Sequence, residues 1–136
     1  MVEILVEYEG DLHCKALHGP SRSQLQTDAP ADNQGKGESF SPTDLLATAL
    51  GTCMMTTMGI YARRHNIDLK GTTVRVEKHM IDNPRRIGKL VVDFNISMKP
   101  DEKQKQALEN AALTCPVHKS LNHDIEIPIQ FHYSQA

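Results

Sequence analysis

The chain has 136 residues, with 15 Lys and Arg against 17 Asp and Glu, so its net charge is -2 and its pI about 6.4. That length predicts one domain, 1–136, able to bury roughly two thirds of the surface its unfolded chain exposes. The near-neutral balance excludes a nucleic-acid binder of the usual kind, which carries a basic face. Arg63-Arg64 and Arg85-Arg86 read as solvated surface.

The first stretch, MVEILVEYEG, carries glutamates and no basic segment, so no secretory leader is expected there. Val2, Ile4, Val6 and Tyr8 alternate with Glu3, Leu5 and Glu7, a period of two that predicts a strand over 2–8 with one apolar face. Glu9-Gly10-Asp11 is a turn, 12–18 a return strand and 23–28 a short third strand. The segment APADNQGKGESF, 29–40, is rich in Gly, Pro, Asp and Asn. It is the one long loop, and loops of this length in compact domains are often functional.

SPTDLLATALGTCMMTTMGIYARRH, 41–65, starts like a capped helix. Ser41 fits the N-cap, Pro42 the first helical position and Asp44 the third, near the positive end of the helix dipole. Arg63, Arg64 and His65 supply cations at the other end. No charge falls between Leu45 and Ala62, which is long enough to be weighed as a membrane span. Thr48, Thr52, Thr56, Thr57, Gly51 and Gly59 make it only moderately apolar, and its neighbours read as soluble sheet, so no membrane is expected.

Strands are predicted over 72–81 and 89–98, joined by the hairpin loop DNPRRIG. In the second, Leu90, Val92, Phe94, Ile96 and Met98 point inward. Pro100 opens a helix over 100–113 with a modest stripe of Leu108, Ala111 and Ala112. TCPVHKSLN forms a further short helix with Pro116 at its first position. A last strand, 124–133, places Ile125, Ile127, Ile129, Phe131 and Tyr133 on one face. The class is α+β, with hairpin-linked strands in mostly antiparallel sheets. The long helix is apolar nearly all round and needs cover on every side. One sheet covers one side, so a homodimer with this helix at or near its interface is expected.

Three cysteines do not make a disulfide framework, and a reducing, cytoplasmic location follows. Cys14 reads as an ordinary half-buried strand residue. Cys53 lies mid-helix, where free Cys is commonly core packing. A reactive Cys53 needs a nearby cation, because the nucleophile is the thiolate and burial disfavours it. Both helix ends are about 15 Å away, so the cation comes from another segment or another subunit. Arg22, Arg75, Arg85 and Arg86 are the candidates, with Arg22 between the early strands and the long loop the most suggestive. Cys115 falls at the start of the short helix, where the dipole lowers a thiol pKa, or it is a cap without chemistry. His118 is three residues on, on the same helical face. Cys115, His118 and His123, or His13, Cys14 and His18, have ligand types but no second tight pair, so no metal is expected. A Cys–His hydrolase needs an oxyanion hole, which a mid-helix cysteine lacks.

FSPTDLLATALGTCMMTTM, followed by two long strands and LTCPVHKSL, resembles the OsmC/Ohr family of thiol peroxidases over essentially the whole chain. The stretch from His18 to Leu46 is more similar to the OsmC-like branch. The resemblance implies an intertwined homodimer, in which sheets from both subunits wrap around long central helices and active sites lie at the interface. It implies reduction of organic hydroperoxides, and in some members hydrogen peroxide, with no metal or bound cofactor. Cys53 matches the peroxidatic thiol and Cys115 the cysteine that resolves it to a Cys53–Cys115 disulfide. A dithiol such as a lipoyl group restores the reduced state. Family members commonly pair the peroxidatic thiolate with an arginine near the N-terminal strands, for which Arg22 is the match. They also carry a glutamate just after the helix-start proline; here Thr43 stands there and Asp44 follows. The alternative from the same resemblance is a non-enzymatic redox sensor or a stress protein that binds a small apolar ligand.

Overall fold

The computed structural model describes residues 1–134. The chain forms two compact units, Met1–Leu46 and Ala47–Ala136.

The first unit is a meander of β1 (Ile4–Gly10), β2 (His13–His18) and β3 (Gln24–Asp28), antiparallel throughout and in that order. Asp11 and Leu12 both have φ near +60°, at 54° and 60°, the geometry of a tight hairpin turn whose twist matches its strands. The Tyr8 hydroxyl accepts the Leu12 amide there at 3.2 Å. The predicted alternation in β1 is present, but its apolar face is not buried within this chain. Ile4, Val6 and Tyr8 remain 63%, 60% and 62% exposed, and Leu5 on the opposite face 70%. The long loop is held at both ends. The Asp28 amide donates to the Phe40 carbonyl, and the Ala29 amide to that of Leu12. A 3-10 turn, Ala31–Asn33, sits inside it. Gly35 permits a backbone approach that any Cβ would block, at 1.7 Å from the Ala29 carbonyl oxygen.

The unit boundary falls within α1 (Pro42–Arg64). Its N-terminus is a reciprocal box. The Ser41 hydroxyl accepts the Asp44 amide at 3.1 Å, and the Asp44 carboxylate accepts the Ser41 amide at 2.9 Å. Two donors that a helix start leaves orphaned are thereby satisfied.

The second unit carries the rest of α1, then β4 (Thr73–Ile81), β5 (Arg86–Ile96), α2 (Glu102–Leu113), α3 (Pro116–Ser120) and β6 (Ile129–Tyr133). Its sheet runs β4-β5-β6. The first pair is antiparallel; the second is parallel, with Phe94 opposite Phe131 and their rings stacked at 5.0 Å. β6 starts later than expected, at Ile129, with Lys89 and Glu126 forming an isolated bridge before Pro128. Proline lacks an N–H, so a strand ladder is interrupted there. The α2 N-cap is Asp101 rather than Pro100, closed by a capping box with Gln104.

The core of this unit is the inward row of β5 (Leu90, Val92, Phe94 and Ile96) together with Leu50, Met54 and Met58 of α1, all fully buried. Each such side chain contributes roughly 1.5–3 kcal/mol. Gly51 lets α1 approach β4 so closely that a Cβ there would stand 2.9 Å from a methyl of Val76. By length and composition α1 could cross a membrane; a core helix meets the same description. Its outer stripe is partly polar, Thr52 and Thr56 preceding an exposed Ile60: the Thr52 and Thr56 hydroxyls donate to the Thr48 and Thr52 carbonyls at 2.8 and 2.7 Å. Those side chains satisfy themselves within the helix.

Candidate active site

Cys53 stands mid-way along α1, three residues after Leu50 and one before Met54, both fully buried. That register turns it to the edge of the buried stripe, and it is half-buried with a free thiol. Cys115 is the N-cap of α3 and fully buried. Its sulfur accepts the His118 amide at 3.4 Å. Pro116 at the first helical position has no N–H to satisfy, so the cap serves the amide two residues on.

The two thiols lie close enough to interact. Burial pushes the Cys115 thiol above its ordinary range, and a hydrogen bond with Cys53 pushes it further; the His118 and Val117 amides pull the other way but more weakly. The sequence left open a thiol lowered by the helix end or a capping residue; Cys115 does cap α3, and its thiol is not lowered. Burial wins instead, because removing the sulfur from water penalises its anion more than two backbone N–H groups reward it. Cys115 therefore keeps its proton, and Cys53 is the partner with access to solvent.

Cys14 lies in β2, half-buried, opposite Tyr8 and Thr27 in the first unit's sheet. The four candidate arginines separate. Arg75 is paired with Glu77 and lies 4.0 Å from Asp93. Arg86 donates to the Asp82 and Pro84 carbonyls of its own turn. Arg85 is exposed in the same turn. Arg22 sits in the exposed turn between β2 and β3 with φ +63°, its amide donating to the His18 carbonyl. Among the described residues its guanidinium has no partner. No cluster of three or more metal-ligating side chains occurs among the described residues. The His118 amide was missed as part of the site. The sequence TCPVH contains its signal, since a residue before an N1 proline is a cap position.

Residues 35–130 match the family described as OsmC-like protein. The chain belongs to the OsmC-like family. The crystal structure of a Psychrobacter arcticus protein, proposed as an osmotic stress induced and detoxification response protein, is 47% identical. It covers 97% of this chain and 96% of that one, with a TM-score of 0.93. An organic hydroperoxide resistance protein OsmC from Legionella pneumophila is 14% identical, with a TM-score of 0.77 over 97% of this chain and 96% of that one. An OsmC like protein from Mycoplasma pneumoniae is 17% identical, with a TM-score of 0.83 over 99% and 98%. At those identities the last two speak for the fold alone: this OsmC-like chain has the mixed α+β fold of OsmC and organic-hydroperoxide-resistance proteins. No curated protein sequence matches the chain.

Proposed function

We propose that this OsmC-like protein is a thiol-dependent reductase of organic hydroperoxides, with Cys53 as nucleophile and Cys115 as resolving thiol. The observation that carries the reading is that two free thiols lie close enough to interact, one half-buried on the flank of α1 and one fully buried. A peroxidatic thiol must be reached by substrate; a resolving thiol must wait beside it. The Cys53 thiolate attacks one oxygen of R–O–O–H. An S–O bond forms, the O–O bond breaks, and the alkoxide leaves as the alcohol after taking a proton. Cys53 is then a sulfenic acid. Cys115 attacks that sulfur, the S–O bond breaks, water leaves, and a disulfide closes. An external dithiol, lipoyl-type or another, takes up the oxidising equivalents and restores both thiols.

The cation proposed to favour the Cys53 thiolate is Arg22, the arginine that the family resemblance implies. The functional form is a homodimer of single OsmC-like domains, 1–136. The exposed apolar face of β1 supports a second copy, since Ile4, Val6 and Tyr8 would otherwise stand in water. The location is cytoplasmic, where thiols are kept reduced.

The test is intact-mass spectrometry of pre-reduced protein given one equivalent of an organic hydroperoxide without oxygen. Loss of two hydrogens that maps to Cys53–Cys115 is expected within seconds to minutes. Both thiols still free after that time would overturn the reading in favour of a redox-silent binding protein.

A further inference from the structure

Cys115, His118 and His123 are metal-ligand types close together in the sequence, and the structure divides them. Cys115 is fully buried, its sulfur taken up by the cap of α3. The two histidines line one small cavity of about 220 Å³ with Leu121, Asn122, Ile125 and Ile127, and Cys115 is not in that lining. His118 is half-buried within α3, and His123 stands exposed just beyond it. Neither ring has a hydrogen-bond or ion-pair partner among the described residues. No partnerless side-chain nitrogen is sealed from solvent among those residues, so the ring nitrogens stay within reach of a ligand.

The backbone that carries the two rings is held on both sides. The Leu121 amide donates to the His118 carbonyl at 3.4 Å, and the Ile125 amide to the Asn122 carbonyl at 3.1 Å. The Asn122 side-chain oxygen accepts the Asp124 amide at 2.9 Å. Beyond the turn, the Glu126 amide donates to the Gly88 carbonyl of β5 at 3.1 Å. Size and donor type then select the occupant. About 220 Å³ is below the range of sites for drug-sized molecules. It holds an ion and several waters, each of which takes about 30 Å³. No carboxylate lines the cavity, which disfavours calcium and magnesium, ions bound through oxygen. Neutral imidazole nitrogens suit zinc and its neighbours instead. We propose that His118 and His123 form a two-histidine site for a divalent cation of the zinc type, with water in the remaining positions. An ion there ties α3, and with it the Cys115 cap, to the turn that leads towards β6. Binding at this site is independent of the peroxidase chemistry proposed above.

The test is a titration of the reduced protein with zinc chloride, with the imidazole signals of all histidines followed by NMR. His118 and His123 are expected to shift together, with one midpoint and ahead of the other histidines. Magnesium chloride should move neither. Loss of even an outer partner of a metal ligand costs about 10–100-fold in affinity. His118→Asn should therefore raise the midpoint of the His123 response at least about tenfold, and His123→Asn that of His118. Cys115→Ser should leave both responses in place. Separate midpoints for the two rings, a His123 midpoint unchanged in His118→Asn, or no response at millimolar zinc overturns the proposal. Loss of both responses in Cys115→Ser also overturns it, since the ion would then sit on the thiol.

Discussion

Cys53 and Cys115 lie close enough to interact across very different surroundings: the first is half-buried on a helix flank, the second is sealed in the core. Alkylation should read that asymmetry directly. Iodoacetamide at pH 8 is expected to modify Cys53 at least about tenfold faster than Cys115, since attack needs both a thiolate and access. Peptide mapping over a time course measures it. Equal rates would mean that the sulfurs exchange environments in solution.

Removing Cys115 separates the two steps of the proposed cycle. Cys115→Ser keeps an oxygen to cap α3, so folding should change little. With excess hydroperoxide, this variant should reduce one equivalent rapidly and then accumulate sulfinic acid at Cys53, because no thiol is left to condense with the sulfenic acid. A mass gain of two oxygens on the Cys53 peptide is the expected signature. Sustained turnover by the variant with a monothiol would show that Cys115 is dispensable to the cycle.

Local order was legible in the residues; pairing between distant segments was not. The alternation of Leu90, Val92, Phe94, Ile96 and Met98 predicted a buried face; the first four are fully buried, while Met98 lies past the end of β5 and is half-buried. Ser41 and Asp44 predicted the start of α1 to the residue. Both depend on neighbours within a few positions. The parallel pairing of β6 on β5 has no such local mark. Two helices between those strands give the long crossover that parallel strands require, which was the available signal. The β1 face was read correctly as apolar, yet periodicity cannot say whether its cover lies in the same chain. For the site, position in the helices singled out Cys53 and Cys115, but their roles came only through resemblance. What the sequence could not convey is which sulfur is buried more deeply, because that depends on packing between segments far apart in the chain.

In the first unit, His13 ties the strand ends together. Its Nδ1 lies 2.6 Å from Asp28, and its Nε2 3.4 Å from Glu9. The hydrogen bond to Asp28 holds its pKa above the usual 6.5, against a smaller opposing effect of burial, with Glu9 and Glu38 adding to the shift. The folded state therefore binds the proton more tightly than the unfolded one. The resulting stabilisation is complete below about 6.5 and is lost as pH rises through the higher folded value. Amide exchange in β2 and β3 should slow on going from pH 8 to pH 6 after correction for intrinsic rates. His13→Gln should remove that difference. A wild-type profile that is flat, or that reverses, contradicts the assigned direction.

Two glycines of α1 make opposite predictions. Both sit in the helix interior, where glycine is about 1 kcal/mol less favourable than alanine. At Gly59 an added Cβ meets nothing within 4 Å, so Gly59→Ala should gain about 0.5–1 kcal/mol. At Gly51 the same Cβ meets a Val76 methyl at 2.9 Å and one of Val74 at 3.5 Å. Valine is stiff at χ1 and cannot swing aside cheaply, so the helix must back away from β4. Overpacking of this kind costs about 1–3 kcal/mol, which outweighs the propensity gain. Gly51→Ala should therefore destabilise by about 1 kcal/mol in urea titration, and Val76→Ala in the same chain should restore part of the loss. Because Cys53 lies two residues from Gly51, a shift of α1 also moves its sulfur relative to Cys115. Slower disulfide closure in Gly51→Ala, at unchanged rate in Gly59→Ala, would tie the helix–sheet contact to the chemistry of the thiol pair.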